Sequence, residues 1–420
     1  MQFSRRNLIL VAGAAMFATA LTVQAAPPAL AQGQTLTVWH AYRGEERAAF
    51  DKAIKLFNEQ NQGGVQAKAL PVPFDAYADK ISAAVPRGTG PDLFIFAQDR
   101  LGGWIEAGNI IEPIDFYIED DVRERFLPNM MEAMTYRDQV FGLPFKYAAI
   151  AMIYNKAKVQ NPPRTTGELV TWAKANTDAS TGRYGWSYTY ADFYYHAALM
   201  NGFGGGLFMT DGAGTLAEPT VNSPANVKSF EQLMSWFKQD GVLPAEPSTA
   251  LVTSLFNEGK SDIVFSGPWF LGEVAKGIEI GVAPLPTLDE AGGEPMRPWM
   301  TVEGLFVSAQ SKNKDAAYEL ARFLTTDEVA KIMALEGRQQ PTNKNVYSDP
   351  AIAKDPILSG FRAQAETAVP MPNLAVMSLM WSPMTTAMNK IVKGTASPKQ
   401  ALDEAQQMLA ADIANLRKSR

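Results

Sequence analysis

Apolar and polar positions change their period repeatedly along the chain. Leu36–Trp39 is a short strand-like run, and over Glu45–Asn61 the residues Ala49, Phe50, Ala53, Ile54 and Phe57 recur three and four apart, which puts them on one face of a helix. The alternation then repeats: Asp79–Ala84 has helical propensity, Gly88–Pro91 is a turn, Asp92–Phe96 is a nearly continuous apolar run and Leu101–Ala107 suits another helix. A run that is apolar on both faces is a strand covered on both sides, and such strands alternating with helices predict βα units in an open sheet. Sheets of this class place ligands beyond the carboxyl ends of their strands, which draws attention to Phe96–Arg100.

Further along, the apolar run from Val140 to Tyr154 is too long for one average strand and contains Pro144, so the chain is expected to leave one structural unit there and enter another. A helix over about Thr166–Ala175 follows Pro162-Pro163, with Leu169, Trp172 and Ala173 inward. The next helix is fully punctuated. Ser223 caps it, Pro224 suits its first position, Val227, Phe230, Met234 and Phe237 repeat at three or four, and Gly241 stops it. Strand character returns at Ser261–Gly267, Gly281–Thr287 and Gly304–Ser308. Helices are expected at Lys314–Leu324, at Asp327–Leu335 and after Ser397-Pro398, the last with Ala401, Ala405, Met408, Leu409 and Ile413. Propensity does not assign these late elements to the first unit or the second.

At 420 residues the chain exceeds what one hydrophobic core ordinarily serves, so two packed units are expected. Its 46% hydrophobic and 20% charged composition is that of a globular protein. The absence of cysteine removes disulfides, thiolate metal sites and a cysteine nucleophile. With 38 basic against 44 acidic residues, there is no electrostatic case for nucleic acid. Residues 1–31 stand apart. Arg5-Arg6 precedes an apolar run from Leu8 to about Val23, and Ala29-Leu30-Ala31 is a small-x-small cleavage signal, so a signal peptide removed before Gln32 is expected. Ser4-Arg5-Arg6-Asn7-Leu8 resembles a twin-arginine export signal, with the general secretion route remaining open. With no cysteine after the apolar run to carry a lipid anchor, the expectation is a soluble periplasmic protein.

Catalytic signatures are few. His40 and His196 form no HExxH pair, and the G-x-S-x-G elbow, the Walker A lysine motif and the dinucleotide fingerprint are absent; Gly202–Gly206 reads as a sharp loop. No metal or cofactor is implied. Two carboxylates could serve a glycosidase, but a sequence does not locate a pair across a cleft, and acids such as Asp99 or Asp192 equally suit ionised binding of sugar hydroxyls. Aromatic placement says more. Tyr188, Tyr190, Phe193, Tyr194 and Tyr195 crowd around Asp192 and His196, Trp269 follows a strand and Pro268, and Trp381 follows Pro370-Met371-Pro372 and Met377–Met380. A lone aromatic is ordinarily a core residue, but flat rings beside polar groups are what a sugar needs: a face for its C–H patches and partners for its hydroxyls.

The motifs around these residues resemble the maltose/maltodextrin-binding proteins. Pro91-Asp92-Leu93-Phe94-Ile95-Phe96-Ala97-Gln98-Asp99-Arg100-Leu101-Gly102-Gly103 is similar to the stretch entering that family's cleft. Ile153-Tyr154-Asn155-Lys156 with Asn161–Thr165, Phe256–Lys260 leading to Gly267-Pro268-Trp269, and Met371-Pro372-Asn373 with Met377–Trp381 follow in the same order. The resemblance implies an α/β, two-lobed periplasmic binding protein fold with a ligand cleft between discontinuous lobes. It divides the chain into 32–145 as first lobe, 146–300 as second, 301–352 returning to the first and 353–420 completing the second. Carried across, Asp99 and Arg100 are the acid and base of the first wall, and Phe96 stands in place of a tryptophan. Tyr194, Trp269 and Trp381 are stacking rings, Asp192 is a shorter counterpart of a hydroxyl-binding glutamate, and Met371 is an apolar contact.

The chain also departs from the family. Ala148 replaces a sugar-binding glutamate, with Lys146 and Tyr147 as candidate substitutes; Thr385 replaces an arginine; and His40–Glu45 lacks an acid–lysine pair, where His40 or Arg43 is a candidate to compensate. The implied role is capture of a maltodextrin-like di- or oligosaccharide by lobe closure and its delivery to the transmembrane permease subunits of an ATP-driven importer, by a monomer. A binder of another small solute and a secreted glycoside hydrolase are the alternatives.

Overall fold

The computed structural model describes residues 33–62, 64–210 and 217–418; the expected signal segment 1–31 and its cleavage before Gln32 lie outside the described residues. Two sheets organise the chain. The larger runs, in spatial order, Gln340–Pro341, Leu143–Ala148, Trp299–Val307, Leu93–Ala97, Thr35–His40 and Gln66–Pro71, with Val369–Pro370 added beside Trp299 and Met300. Its first three strands in the chain are parallel and joined by helices, as the alternation predicts. The helix Gly44–Gln60 buries the Ala49, Phe50, Ala53, Ile54 and Phe57 face against this sheet. The smaller sheet runs Ile280–Ala283, Ala151–Asn155, Ser261–Ser266, Tyr184–Tyr188. It has its own core, in which Trp186, Phe230 and Phe265 meet Met384 and Leu409 from the C-terminal helices Trp381–Lys393 and Pro398–Lys418.

The long apolar run is divided between the two sheets, Leu143–Ala148 in the larger and Ala151–Asn155 in the smaller. Pro144 sits inside a central strand, where it has no N–H to offer. The register to Trp299–Val307 shifts between Glu303 and Gly304, so that Glu303 faces Lys146 and Gly304 faces Pro144, and this irregularity accommodates the missing donor. The chain passes again between the two cores near Met296–Val302, and there Val369–Met371 runs alongside it: the Val369 amide donates to the Pro298 carbonyl at 2.8 Å and the Met371 amide to that of Met300 at 3.0 Å. Gln98 clamps this double crossing. Fully buried, it donates through Nε2 to the carbonyls of Met371 (3.1 Å) and Met300 (3.4 Å), while its Oε1 accepts from the Val302 amide at 2.7 Å.

Several boundaries move from their expected places. The helix expected from Asp79 begins at Phe74, directly after Pro73, with Tyr77 and Ile81 as its buried face; Phe74 is exposed, so its apolar character obscured the period. The strand expected at Gly304–Ser308 extends over Trp299–Val307. The helix capped by Ser223 is α-helical over Pro224–Met234 and widens into a π-helix over Ser235–Gln239 before Gly241.

Candidate ligand-binding cleft

The strand Leu93–Ala97 ends in a 3-10 turn, Gln98–Arg100, that opens the helix Leu101–Ala107. Gly102 and Gly103 let this helix lie directly on Asn373–Ala375 and Ser378; a Cβ on Gly102 would stand 2.5 Å from the Ala375 nitrogen. That close approach brings Asp99 to the second unit. Its Oδ2 accepts from the Trp381 indole N–H at 3.0 Å and lies 3.3 Å from Arg100 Nε, and the guanidinium sits over the Trp381 ring, 5.8 Å from its centroid. Asp99 is 3% exposed. Burial raises its pKa, opposed by the charge of Arg100 and the Trp381 hydrogen bond.

On the facing side, the aromatic cluster is divided among the strand Tyr184–Tyr188, the turn that holds Tyr190 and the helix Phe193–Gly202. Asp192 caps that helix, Oδ1 accepting from the Tyr194 amide at 2.9 Å. The residue is exposed, yet burial of its carboxyl group, and after it the charge of Asp75, raise its pKa against the Tyr194 hydrogen bond. The Tyr194 hydroxyl is 3.0 Å from Thr301 Oγ1, and its ring is 6.0 Å from that of Trp269 and 6.1 Å from that of Trp299. Trp269, on the 3-10 turn Pro268–Glu273, donates its indole N–H to the Tyr195 hydroxyl at 3.3 Å. Trp299, buried, lies 5.9 Å from Trp381. A line of rings thus runs Trp269, Tyr194, Trp299, Trp381, with the buried Trp299 as a spacer between half-buried neighbours.

The structure brings Asp99, Arg100, Tyr194, Trp269 and Trp381 together. It treats two other candidates differently. Phe96 is 6% exposed: the Phe74 ring lies parallel to it with centroids 6.0 Å apart and planes within 1°, while Tyr77 and Trp104 meet it at 5.3 and 5.2 Å. Met371 is buried in the smaller sheet's core and held by Gln98 through its carbonyl. Of the suggested substitutes, Lys146 is buried, 2.6 Å from Glu46 and 3.0 Å from Glu303, and Tyr147 is buried with its hydroxyl 3.2 Å from that of Tyr347. His40 is buried, accepts from the Tyr42 amide at 3.1 Å and is held near pKa 4 by desolvation and then by Arg47. Arg43 reaches Glu273 at 2.7 Å. Thr385 is exposed one turn beyond Trp381 on the same helix.

Sequence reasoning missed Glu303 and Thr301. Glu303 pairs with Lys146 on one side and Ala97 on the other, and Thr301 lies opposite Ala148, so these side chains share one face of the larger sheet. The Glu303 carboxylate, 24% exposed, accepts from the Tyr42 hydroxyl and faces Lys146, each at 3.0 Å. The available signal was two polar residues spaced by two inside an otherwise apolar run. Among the described residues, no group of three His, Cys, Asp or Glu side chains is placed to hold a metal ion.

Two α/β units joined by paired crossing strands, with an aromatic cleft between them, define a two-lobed periplasmic binding protein fold. Residues 52–360 match the family model described as bacterial extracellular solute-binding protein, and the chain belongs to that family. Among its relatives is a maltotriose-binding protein of Pyrococcus abyssi, 35% identical over 331 residues, which are 77% of this chain and 70% of the relative. A galactooligosaccharide-binding protein of Bacillus subtilis is 29% identical over 383 residues, 89% of this chain and 88% of the other. A crystal structure of a cyclo/maltodextrin-binding protein complexed with maltotetraose superposes with a TM-score of 0.75 at 32% identity, covering 90% of this chain and 97% of that one.

Proposed function

We propose that this protein is the periplasmic substrate-binding component of a carbohydrate ABC importer, taking up a maltodextrin-like di- or oligosaccharide between its lobes and presenting the closed form to the membrane permease. The observation that carries this is the line of rings Trp269, Tyr194 and Trp381, coupled at one end to the Asp99–Arg100 pair of the other lobe. Rings supply apolar faces for pyranose C–H patches, and the polar rim supplies hydroxyl partners. The relatives named for maltotriose and galactooligosaccharides support the ligand class. Ala148 and Thr385 leave two family polar contacts unfilled, which favours a glucoside whose hydroxyl pattern differs from plain maltose as much as it favours maltodextrin. Capture is noncovalent. A sugar bridging both walls makes more contacts when the lobes close and so shifts the population toward closure. Export through the signal at 1–31 would deliver the protein to the compartment where such ligands are met.

The test is to purify the protein gently, identify any retained ligand by mass spectrometry and sugar analysis, and titrate that ligand calorimetrically. At about a hundred times its dissociation constant it should stabilise the fold by about 2.7 kcal/mol and shrink the particle in solution scattering. A retained ligand that is not a carbohydrate, or thermal stabilisation without compaction, would refute the proposal.

A further inference from the structure

We infer that Phe74 is an outer stacking subsite, one that holds a pyranose ring beyond those on Tyr194, Trp269 and Trp381 and so sets how long an oligosaccharide the cleft prefers. The inference rests on the carbohydrate reading above. Few large apolar side chains among the described residues are this exposed: Phe74 shows 65% of its surface to solvent. It is not a stray surface residue. It opens the helix Phe74–Ala84 directly after the strand Gln66–Pro71, whose carboxyl end lies at the ligand-facing edge of an open α/β sheet, and Pro71 and Pro73 stiffen the connection. Its ring lies parallel on Phe96, which Tyr77 and Trp104 wedge in place. Phe74 is therefore the exposed outer ring beside an aromatic cluster whose inner members are buried.

The burial of Phe96 makes this placement consequential. Family resemblance assigns the first lobe's stacking face to position 96, yet in this chain that face is covered and the accessible plate has moved outward to position 74. Polar partners lie beside it. Asp75 is exposed next to Phe74, and after burial its charge contributes to raising the Asp192 pKa on the other wall. Asp192 is exposed and commits Oδ1 to the Tyr194 amide. Hydroxyls of a ring whose apolar face packs on Phe74 have these carboxylates as charge-assisted acceptors.

The test is calorimetry with maltose, maltotriose and maltotetraose, and with galacto-oligosaccharides of the same lengths, on wild type, Phe74→Ala, Phe74→Trp and Trp269→Ala. Wild type should bind more tightly as the chain lengthens. Phe74→Ala should leave the shortest bound sugar unchanged and weaken the longest roughly ten-fold, a typical effect of removing an aromatic anchor, and Phe74→Trp should restore the preference. Trp269→Ala should weaken every length. If Phe74→Ala keeps the wild-type length dependence, or weakens all lengths equally while Trp269→Ala behaves as expected, the outer subsite is overturned and the carbohydrate reading stands. If wild type binds neither series while its retained ligand is a carbohydrate, the outer subsite falls and the carbohydrate reading stands; if the retained ligand is not a carbohydrate, both fall. Exposure of Phe74 means that ligand-free Phe74→Ala should melt with wild type; a lowered melting temperature together with an intact length preference would make the ring scaffold and overturn the subsite.

Discussion

Asp99 has little left to give a ligand directly, because it is 3% exposed and already engages an indole and a guanidinium. Its leverage is on Trp381, whose edge it holds and whose face Arg100 overlies. Asp99→Asn should therefore act through the tryptophan. A hydrogen bond to a charged group is worth about 1.5–3 kcal/mol, so affinity for the identified ligand should fall roughly ten-fold or more. The same substitution should cost much less in a Trp381→Phe background, where there is no indole N–H to position. A calorimetric double-mutant cycle measures that coupling, and an additive cycle would mean that Asp99 acts independently of Trp381.

The N-terminus of the helix Gly44–Gln60 meets the 3-10 turn Pro268–Glu273 along a seam between the two lobes. Two glycines make it possible: a Cβ on Gly44 would lie 3.0 Å from the Gly272 carbonyl oxygen, and one on Gly272 would lie 3.0 Å from the Glu45 nitrogen. Beside them Arg43 pairs with Glu273 at 2.7 Å. Both partners keep substantial exposure, so water screens the pair and its contribution is about 0–1 kcal/mol. Backbone contact is the stronger constraint. Gly272→Val should prop the seam apart, weaken ligand binding roughly ten-fold and reduce ligand-induced compaction in scattering, whereas Arg43→Ala should weaken binding only a few-fold. The reverse ranking would show that charge rather than steric fit governs the seam.

Each lobe also buries a neutral histidine, and this gives the whole molecule an acid sensitivity. Desolvation, and after it Arg47, lowers the His40 pKa to about 4, and desolvation lowers that of His196, which meets Ser229 Oγ at 3.0 Å, to about 3. Above the unfolded value of about 6.5 both are neutral in either state, and nothing is lost. As pH falls from there toward 4, the unfolded chain takes up protons that the folded chain refuses, so each histidine removes up to about 1.4 kcal/mol of stability per pH unit. Carboxyls with raised pKa, Glu46, Asp99, Asp192 and Asp262, work in the opposite direction below their folded pKa values. Comparing each histidine with its own glutamine variant cancels that background. The stability gap between wild type and His196→Gln, and between wild type and His40→Gln, should narrow from pH 6.5 to pH 4 in denaturant titrations; a constant gap would mean that these imidazoles do not titrate as buried groups.

Local pattern by itself determined most of the elements. Amphipathic periods placed Gly44–Gln60 and Lys314–Leu324, a proline after a capping serine placed the starts of Pro224–Met234 and Pro398–Lys418, and the overlong run at Val140–Tyr154 marked a passage between units. These signals survive because they depend on neighbours within a few positions. Motif order likewise brought Asp99, Arg100, Tyr194, Trp269 and Trp381 into one candidate site, and the structure assembles them there. Only the tertiary structure decided which rings have a free face. Phe96 and Phe74 are both apolar, but exposure depends on what a distant segment stacks against them, and Phe96 lies beneath while Phe74 stands outside. Glu303 shows the same limit: strand pairing sets it between Lys146 and Ala97, partners far away in the chain. Period along a strand reveals which residues share a face. Which face meets the cleft, and which charge is already paired, is settled by contacts between residues far apart in the chain.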